Sequence, residues 1–171
     1  MKDFYELFIH ELKNVYSVEN QLIRALPKLI DKTHSKKLKE ALRHHLHETK
    51  DQLRRLEEIA LELSLDLNGY ESQAIKTLIK EAHRFAKNKY DSVVKDAGLI
   101  TNIQQIEHYE IACYGALKAY AKHFKFKEIE ALLEKTSAEE GEANKTLTEI
   151  AEGTLFSSGI NTEAHKKCIG E

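Results

Sequence analysis

At the centre of the chain stands the stretch Ile106-Glu107-His108-Tyr109-Glu110-Ile111-Ala112-Cys113-Tyr114-Gly115, inside a helical pattern that covers residues 91–124. Apolar residues recur along this pattern at spacings of three, four and seven, as they do on the buried face of a helix. Glu107 and Glu110 occupy two positions of that apolar face, so both carboxylates point toward the core of a helical bundle. Because an unpaired carboxylate is costly to bury, such groups are normally protonated, paired or bound to a metal.

The composition favours long helices. Among 171 residues there are one proline and seven glycines, so residues that break helices are scarce. Charged residues make up 32% and hydrophobic residues 42% of the chain, as expected for one soluble domain with a sizeable core. The predicted fold class is therefore all-α.

Charge and hydropathy narrow the possible partners and the compartment. A net charge of −2 gives no electrostatic reason to expect nucleic acid or an anionic membrane as a partner. No apolar run approaches the roughly 20 residues that span a bilayer, and the first residues are too acidic for a signal peptide. Cys113 and Cys168 do not indicate a disulfide framework. We expect a cytoplasmic protein.

Periodicity predicts helices over residues 3–31, 36–64, 72–86, 91–124 and 128–151. Pro27 is expected to bend the first helix or to end its regular part. The four long helices form two antiparallel hairpins, joined by a long crossover that carries the short helix. This is the ferritin-like form of the four-helix bundle. We assign it to residues 1–151 and expect residues 152–171, which show no clear period, to form a surface tail.

Each long helix places a carboxylate near the same level of the bundle. Glu19 lies sixteen residues before the first hairpin turn and Glu48 thirteen after it, while Glu110 lies sixteen before the second turn and Glu140 fourteen after it. At a rise of about 1.5 Å per residue, the two members of each hairpin differ by only a few Å in height. Glu48 lies beside its apolar face, three residues after His45.

A cluster of carboxylates in a dry core is best explained by divalent cations. Two ions bridged by carboxylates, with imidazole completing the shell, suit iron or manganese better than zinc or copper. The predicted metal ligands are Glu19, Glu48, Glu107, Glu110 and Glu140, with His45 as a secondary candidate. Taken singly, each Glu has an alternative interpretation as an edge residue that reaches water, and His45 as a packed or supporting histidine.

The pattern departs from that of di-iron bundles, in which two helices carry Glu-x-x-His. Asp51 follows Glu48 by three residues, and Ala143 follows Glu140 by three. Either the site uses more carboxylates and fewer imidazoles, or one metal position is weak or lost.

Several segments resemble the YciF-type ferritin-like stress proteins over residues 3–151. The segments are Leu7-Phe8 through Tyr16-Ser17-Val18-Glu19, His45-Leu46-His47-Glu48-Thr49, Asp96-Ala97-Gly98-Leu99-Ile100 and Ile106-Glu107-His108-Tyr109-Glu110. The resemblance implies a bacterial four-helix bundle with a di-metal site, often a dimer, and no established substrate. More distantly, Glu107-x-x-Glu110 is similar to the carboxylate pair in the third helix of rubrerythrins, but the chain has no Cys-x-x-Cys pair for a rubredoxin-type module.

Two functional hypotheses follow. The first is a di-metal carboxylate protein, holding iron or manganese, that reacts with O₂ or peroxide in a stress response. The second is a helical homodimeric stress or interaction protein whose metal site is degenerate and not catalytic. The missing histidines favour the second, whereas matching carboxylate levels on four helices favour the first. No residue is assigned a catalytic role, and iron storage in a large shell is a weaker third interpretation.

Overall fold

The computed structural model describes residues 2–155 and 157–169. The predicted domain and tail therefore each include positions outside this range, namely residues 1, 156, 170 and 171. The helices are α1 (Phe4–Ile30), α2 (Lys36–Glu62), α3 (Gln73–Ala86), α4 (Ser92–Phe124), α5 (Lys127–Glu152) and α6 (Ile160–Ile169). Two short strands, β1 (Gly153–Thr154) and β2 (Ser157–Ser158), form an antiparallel hairpin between α5 and α6.

The predicted all-α fold is confirmed: α1 and α2 form one hairpin, α4 and α5 form the other, and α3 lies on the crossover between them. The helix bounds agree with the predicted ones within two residues. Local capping explains several of these starts, because Asp3 accepts a hydrogen bond from the backbone N–H of Glu6 (2.8 Å) and Asp91 accepts one from Val93 (2.9 Å). Among the described residues, no helix is long and apolar enough to cross a membrane.

Two apolar clusters fill opposite ends of the bundle and leave a polar level between them. The cluster near the α1–α2 turn contains Leu29, Leu38, Leu42, Leu99, Ile103 and Leu147. The cluster near the α4–α5 turn contains Phe8, Leu12, Leu56, Tyr114, Leu117 and Leu133. Because the two clusters fix all four long helices at both ends, side chains at the middle level face each other at fixed heights.

The crossover helix α3 packs against α1 and α4. Its contact with α4 depends on Gly98, because a Cβ atom built there would lie 2.0 Å from Cζ of Phe85. Gly98 therefore allows the Phe85 ring to lie directly on the α4 backbone.

Two local features differ from the simplest reading of the sequence. Pro27 does not end α1, which continues through it to Ile30, and a bend at Pro27 stays a prediction. The segment after residue 151 contains structure that its sequence did not predict, since β1 pairs with β2 and α6 packs against α4 and α5. Ile160 at the start of α6 is only 7% exposed and joins the core near Ile100 and Leu147, which explains why this segment is ordered without a helical apolar period of its own.

A buried carboxylate ties the α1–α2 turn to α4. Asp96 is 2% exposed and accepts hydrogen bonds from the backbone N–H groups of His34 (3.0 Å) and Ser35. These donors lie at the start of α2, where helical N–H groups have no partner within the helix. Asp96 therefore caps α2 from a different helix, and the sequence pattern carried no signal for this contact.

We predict that Asp96→Ala lowers the free energy of unfolding by about 1–3 kcal/mol, because it removes a buried acceptor from two backbone N–H groups at the start of α2. Urea denaturation followed by circular dichroism measures the change. Asp31→Ala, an exposed position in the same turn, is the control and should stay within about 0.5 kcal/mol of the parent. Equal effects of the two substitutions would contradict the role given to Asp96.

Candidate metal centre

Four buried side chains converge at the middle level of the bundle. They are His45 from α2, Glu107 and Glu110 from α4, and Glu140 from α5. Each offers one ligand atom, and these atoms lie within 4.8 Å of one another. None of the four residues is more than 3% exposed. This is the size and donor chemistry of a site for a divalent cation, with three carboxylates and one imidazole.

The four side chains are not satisfied by the protein itself. Both carboxylate oxygens of Glu107 and Glu110, Oε2 of Glu140 and both ring nitrogens of His45 have no hydrogen-bond partner among the described residues. Buried polar groups are normally hydrogen-bonded, and leaving one unpaired costs roughly 1–3 kcal/mol. So many unpaired atoms at one point indicate that a ligand completes the site.

The raised pKa values of the buried carboxyl groups also indicate that the site is suited to a cation. Burial, followed by the charge of Glu140, raises the pKa of Glu107 and of Glu110 well above the usual value. Burial also raises the pKa of Glu140, to about 7. Without a cation, the site therefore holds protons on carboxyl groups that would be ionised in water.

His45 is suited to bind a metal because it is neutral at physiological pH. Burial lowers its pKa to about 4, so its Nε2 atom keeps a lone pair. Nε2 lies 3.3 Å from Oε1 of Glu107, but the contact lacks the geometry of a hydrogen bond. The two atoms are neighbours without being an ion pair, as expected for two ligands of one ion.

Glu19 is fully buried, as predicted, and lies next to this group rather than within it. The Tyr114 hydroxyl donates a hydrogen bond to Oε1 of Glu19. Burial, and then the charge of Glu140, raises the pKa of Glu19 well above the usual value. Oε2 of Glu19 has no partner within the part of the chain that the structure describes, so one oxygen remains available to a ligand.

Glu48 lies apart from the buried group. Its side chain is 22% exposed and lies 3.2 Å from Nε2 of His44 on the outer side of α2. Burial, the largest effect, raises its pKa. The face of α2 that points to the centre carries His45, Thr49 and Gln52 instead, and the last two are 0% exposed.

The residue three positions after Glu48, where Glu-x-x-His would have its histidine, also faces away from the centre of the bundle. Asp51 lies on the outer side of the helix with His47 and Arg54 as partners. The inward pair at this level is Thr49-x-x-Gln52, which the sequence pattern shows as part of the apolar face but does not identify as a site. The role of Glu48 as a ligand stays a prediction.

Gln52 belongs to a hydrogen-bonded network that sequence analysis missed. Its amide donates to Oε1 of Glu140 and, at 3.3 Å, to Oε2 of Glu139. Arg55, which is 7% exposed, donates to both oxygens of Glu139 (2.7 and 2.6 Å) and to the Thr136 hydroxyl. A charge cluster such as Arg54-Arg55 usually indicates a solvated face, and only the tertiary structure shows that Arg55 turns inward.

A pocket of about 100 Å³ leads from the surface between α2 and α5 to the buried group. Its lining residues include His44, His45, Glu48, Glu107, Ala143 and Thr146. Ala143 takes the position at which di-iron bundles carry the histidine of the second Glu-x-x-His. Its small side chain contributes to the pocket wall, which Glu107 and His45 also line.

We predict that the stability of the metal-free protein falls as pH rises from 6.5 to about 8. The carboxyl groups with raised pKa values hold protons in the folded state that the unfolded chain releases. Their stabilisation is complete at low pH and is lost as pH rises through the folded-state pKa, about 7 for Glu140. His45 acts oppositely, but its contribution is already complete above its unfolded pKa of 6.5.

The expected slope is about −1.4 kcal/mol per pH unit for each proton released. Chemical unfolding in chelator across this pH range measures it. Glu140→Gln removes one titrating group and should make the slope shallower, whereas Glu57→Gln, at an exposed position of α2, should leave it unchanged. A stability that is flat or rises between these pH values would refute the burial of protonated carboxyl groups.

Two antiparallel helix hairpins joined by a long crossover, with buried carboxylates and an imidazole between them, define a ferritin-like four-helix bundle. Within that class the chain belongs to the family described as a domain of unknown function, DUF892, which matches residues 3–164. Protein YciF of Escherichia coli strain K12 is 36% identical over 168 residues, which cover 98% of each chain. The resemblance found in the sequence is thereby confirmed.

Solved structures agree with the fold. The crystal structure of the E. coli stress protein YciF superposes with a TM-score of 0.84 at 37% identity, covering 87% of this chain and 94% of that one. YcfI from Rhodopseudomonas palustris gives a TM-score of 0.85 at 36% identity, covering 88% and 96%. A protein from Xanthomonas campestris pv. campestris, at 21% identity and a TM-score of 0.67 over 98% of both chains, shares the fold.

Proposed function

We propose that this protein is a ferritin-like metal-carboxylate protein that holds iron or manganese, two ions per chain when fully loaded, and serves a bacterial stress response. The observation that carries the proposal is the convergence of His45, Glu107, Glu110 and Glu140 with most of their ligand atoms unpaired. Oxygen-rich ligation with one imidazole suits Fe²⁺ or Mn²⁺. The stress role is supported by the relative that is called a stress protein.

The ligand set that we propose comprises the six residues predicted from the sequence. His45, Glu107, Glu110 and Glu140 form its centre, Glu19 adds its free oxygen, and Glu48 joins through the pocket. A pair of ferrous or manganous ions would supply the two electrons that reduce O₂ or a peroxide. The chain's own residues would fix the ions, exclude bulk water and take up or release protons at the carboxyl groups whose pKa values are raised.

The alternative is an interaction protein whose site does not turn over. Two observations favour it: no histidine follows Glu140 by three residues, and neither Asp51 nor Glu48 lies within the buried group. Cytoplasmic location and a weak homodimer remain proposals in both cases. Exposed apolar side chains such as Leu61 (82%) and Phe4 (38%) support self-association, and sedimentation at micromolar concentration showing only monomer would rule out the dimer.

Elemental analysis of protein purified from iron- or manganese-supplemented culture tests the proposed function directly. We expect close to two ions per chain, and expect peroxide to oxidise the ferrous protein rapidly, as followed by its near-ultraviolet absorption. Protein free of both metals favours the interaction protein. Metal-loaded protein that is inert to both O₂ and peroxide keeps metal binding but removes the redox role.

We predict that Glu140→Leu stabilises the metal-free protein by about 1–3 kcal/mol, because it removes a carboxyl group from a crowded, desolvated site and adds apolar packing. The same change should abolish most of the stabilisation that added Mn²⁺ gives the parent, since an ion raises apparent stability only by binding the folded state. Thermal unfolding with chelator and with metal measures both effects.

Glu134→Leu is the matched control, because Glu134 lies on the exposed side of the same helix and pairs with Lys118 (2.6 Å). It should change the metal-free stability little and keep the full response to Mn²⁺. If Glu140→Leu also keeps the full response, Glu140 is not a ligand and the proposed centre is wrong.

A further inference from the structure

The buried polar residues between the two apolar clusters, here called the polar level, differ between the two ends of that level: ligand atoms are unpaired at one end and hydrogen-bonded at the other. Along α2, His45 and Gln52 both face the centre and are seven residues apart; along α4, Glu107 and Tyr114 have the same separation. Seven residues are two helical turns, or about 10 Å. His45 and Glu107 define one end of the level, and Gln52 and Tyr114 define the other.

At the His45 end the ligand atoms are free. Both nitrogens of His45 and both oxygens of Glu107 have no hydrogen-bond partner among residues 2–155 and 157–169. The pocket between α2 and α5 also opens at this end. An ion that arrives there meets Glu107 and His45 without displacing a hydroxyl, amide or guanidinium donor.

At the Gln52 end one oxygen of each carboxylate already accepts a hydrogen bond. Tyr114 donates to Oε1 of Glu19, and Gln52 donates to Oε1 of Glu140. The only part of Gln52 that could face a cation as a ligand is its amide oxygen Oε1, which lacks a partner within the described residues and carries no charge. A neutral oxygen is a weaker ligand for a hard divalent cation than a carboxylate.

A buried cation adds to this asymmetry. Arg55 lies one turn beyond Gln52, is 7% exposed, and is close enough to influence Glu19 electrostatically. Its charge is shared with Glu139 through two hydrogen bonds, so Glu139 is not free to bind a metal. The network Arg55–Glu139–Gln52–Glu140 therefore closes this end with the protein's own donors.

We infer that the two metal positions are unequal: one ion binds preferentially at the His45 end, while Gln52 and Tyr114 keep the position beside Glu19 weak. At the second position Glu19 and Glu140 each have one oxygen that already accepts a hydrogen bond, so each can bind an ion only through Oε2 unless a donor is displaced. The ion there also receives an amide oxygen where a carboxylate would bind more strongly. This inference rests on the proposed function and deepens it, because it assigns an order of occupancy and names the residues that set it.

Titration of the chelator-treated full chain with Mn²⁺, with free Mn²⁺ measured by electron paramagnetic resonance, tests the inference. We expect one ion to bind tightly and a second to bind at least about tenfold more weakly, since one oxygen of each carboxylate at the second position is already held by a hydrogen bond. His45→Ala should weaken the first ion by at least about tenfold, because it removes the only imidazole among the four converging ligands.

Two substitutions should strengthen the second position. Gln52→Glu replaces the neutral amide with a carboxylate, and Tyr114→Phe removes the donor from Glu19. Each should tighten the second ion by about tenfold or more and leave the first within about threefold. Gln104→Glu is the matched control, because Gln104 makes its hydrogen bonds to Thr148 (2.9 Å) and Asn144 (3.3 Å), away from the buried group. It should leave both affinities unchanged.

The outcomes separate the inference from the proposed function. Two ions bound with equal affinity by the parent would overturn the inference and leave the proposed function standing, while a parent that binds no Mn²⁺ or Fe²⁺ would overturn both. A second affinity that does not respond to either substitution would also overturn the inference. If Gln52→Glu does not fold, Tyr114→Phe, which removes one oxygen atom, decides the question alone.

Discussion

The structure depends on one constraint: carboxylates placed in a water-free core cannot all be ionised without a counter-charge. Glu19, Glu107, Glu110 and Glu140 are at most 1% exposed, and the nearest guanidinium, that of Arg55, is bonded to Glu139. Burial and mutual repulsion raise their pKa values, so the metal-free protein keeps protons in its interior. A divalent cation, as proposed, would replace those protons with a charge that the converging carboxylates share, and its binding should therefore release protons and be favoured by rising pH.

The rest of the fold holds these groups at one level despite their repulsion. Apolar clusters above and below contain residues from α1, α2, α4 and α5, so the helices cannot slide to separate the charges. Asp96 fastens the start of α2 to α4, and the contact of Phe85 with the backbone at Gly98 fastens the crossover. The stability lost at the polar level is thus recovered at the two ends, and the helix hairpins act as a rigid support for the site.

The sequence predicted the helices and the buried carboxylates because both follow from a strong 3.6-residue period, in which Glu19, Glu107, Glu110 and Glu140 interrupt otherwise apolar lines. It placed Thr49 on the apolar face of α2 and Glu48 beside that face, about 100° away around the helix, but gave no sign that Thr49 and Gln52 rather than Glu48 would line the centre. Three contacts could not be predicted from the sequence, because each joins residues more than sixty positions apart. They are the contact of Arg55 with Thr136, the hydrogen bond from Gln52 to Glu140 and the cap that Asp96 forms on α2. Helix α6 could not be predicted for a similar reason. Ile160 packs against residues of other helices, and the sequence of α6 has no apolar period that would indicate a helix.

The unpaired atoms also bear on which function the fold serves. A bundle that acted only through its surface would gain stability from leucine or methionine at the positions of Glu107, Glu110 and Glu140, since replacing buried ionic groups with packed apolar ones is often stabilising. The protein instead keeps His45, Glu107 and Glu110 with no hydrogen-bond partner for their side-chain polar atoms within the described residues. Toward the Gln52 end, Glu19 and Glu140 each accept one hydrogen bond, from Tyr114 and from Gln52. The chain therefore contains buried carboxylates of two kinds: some accept a hydrogen bond from another side chain, and others have no such donor. That contrast argues against a wholly degenerate site, because Tyr114 and Gln52 donate no hydrogen bond to His45 or Glu107, which line the pocket.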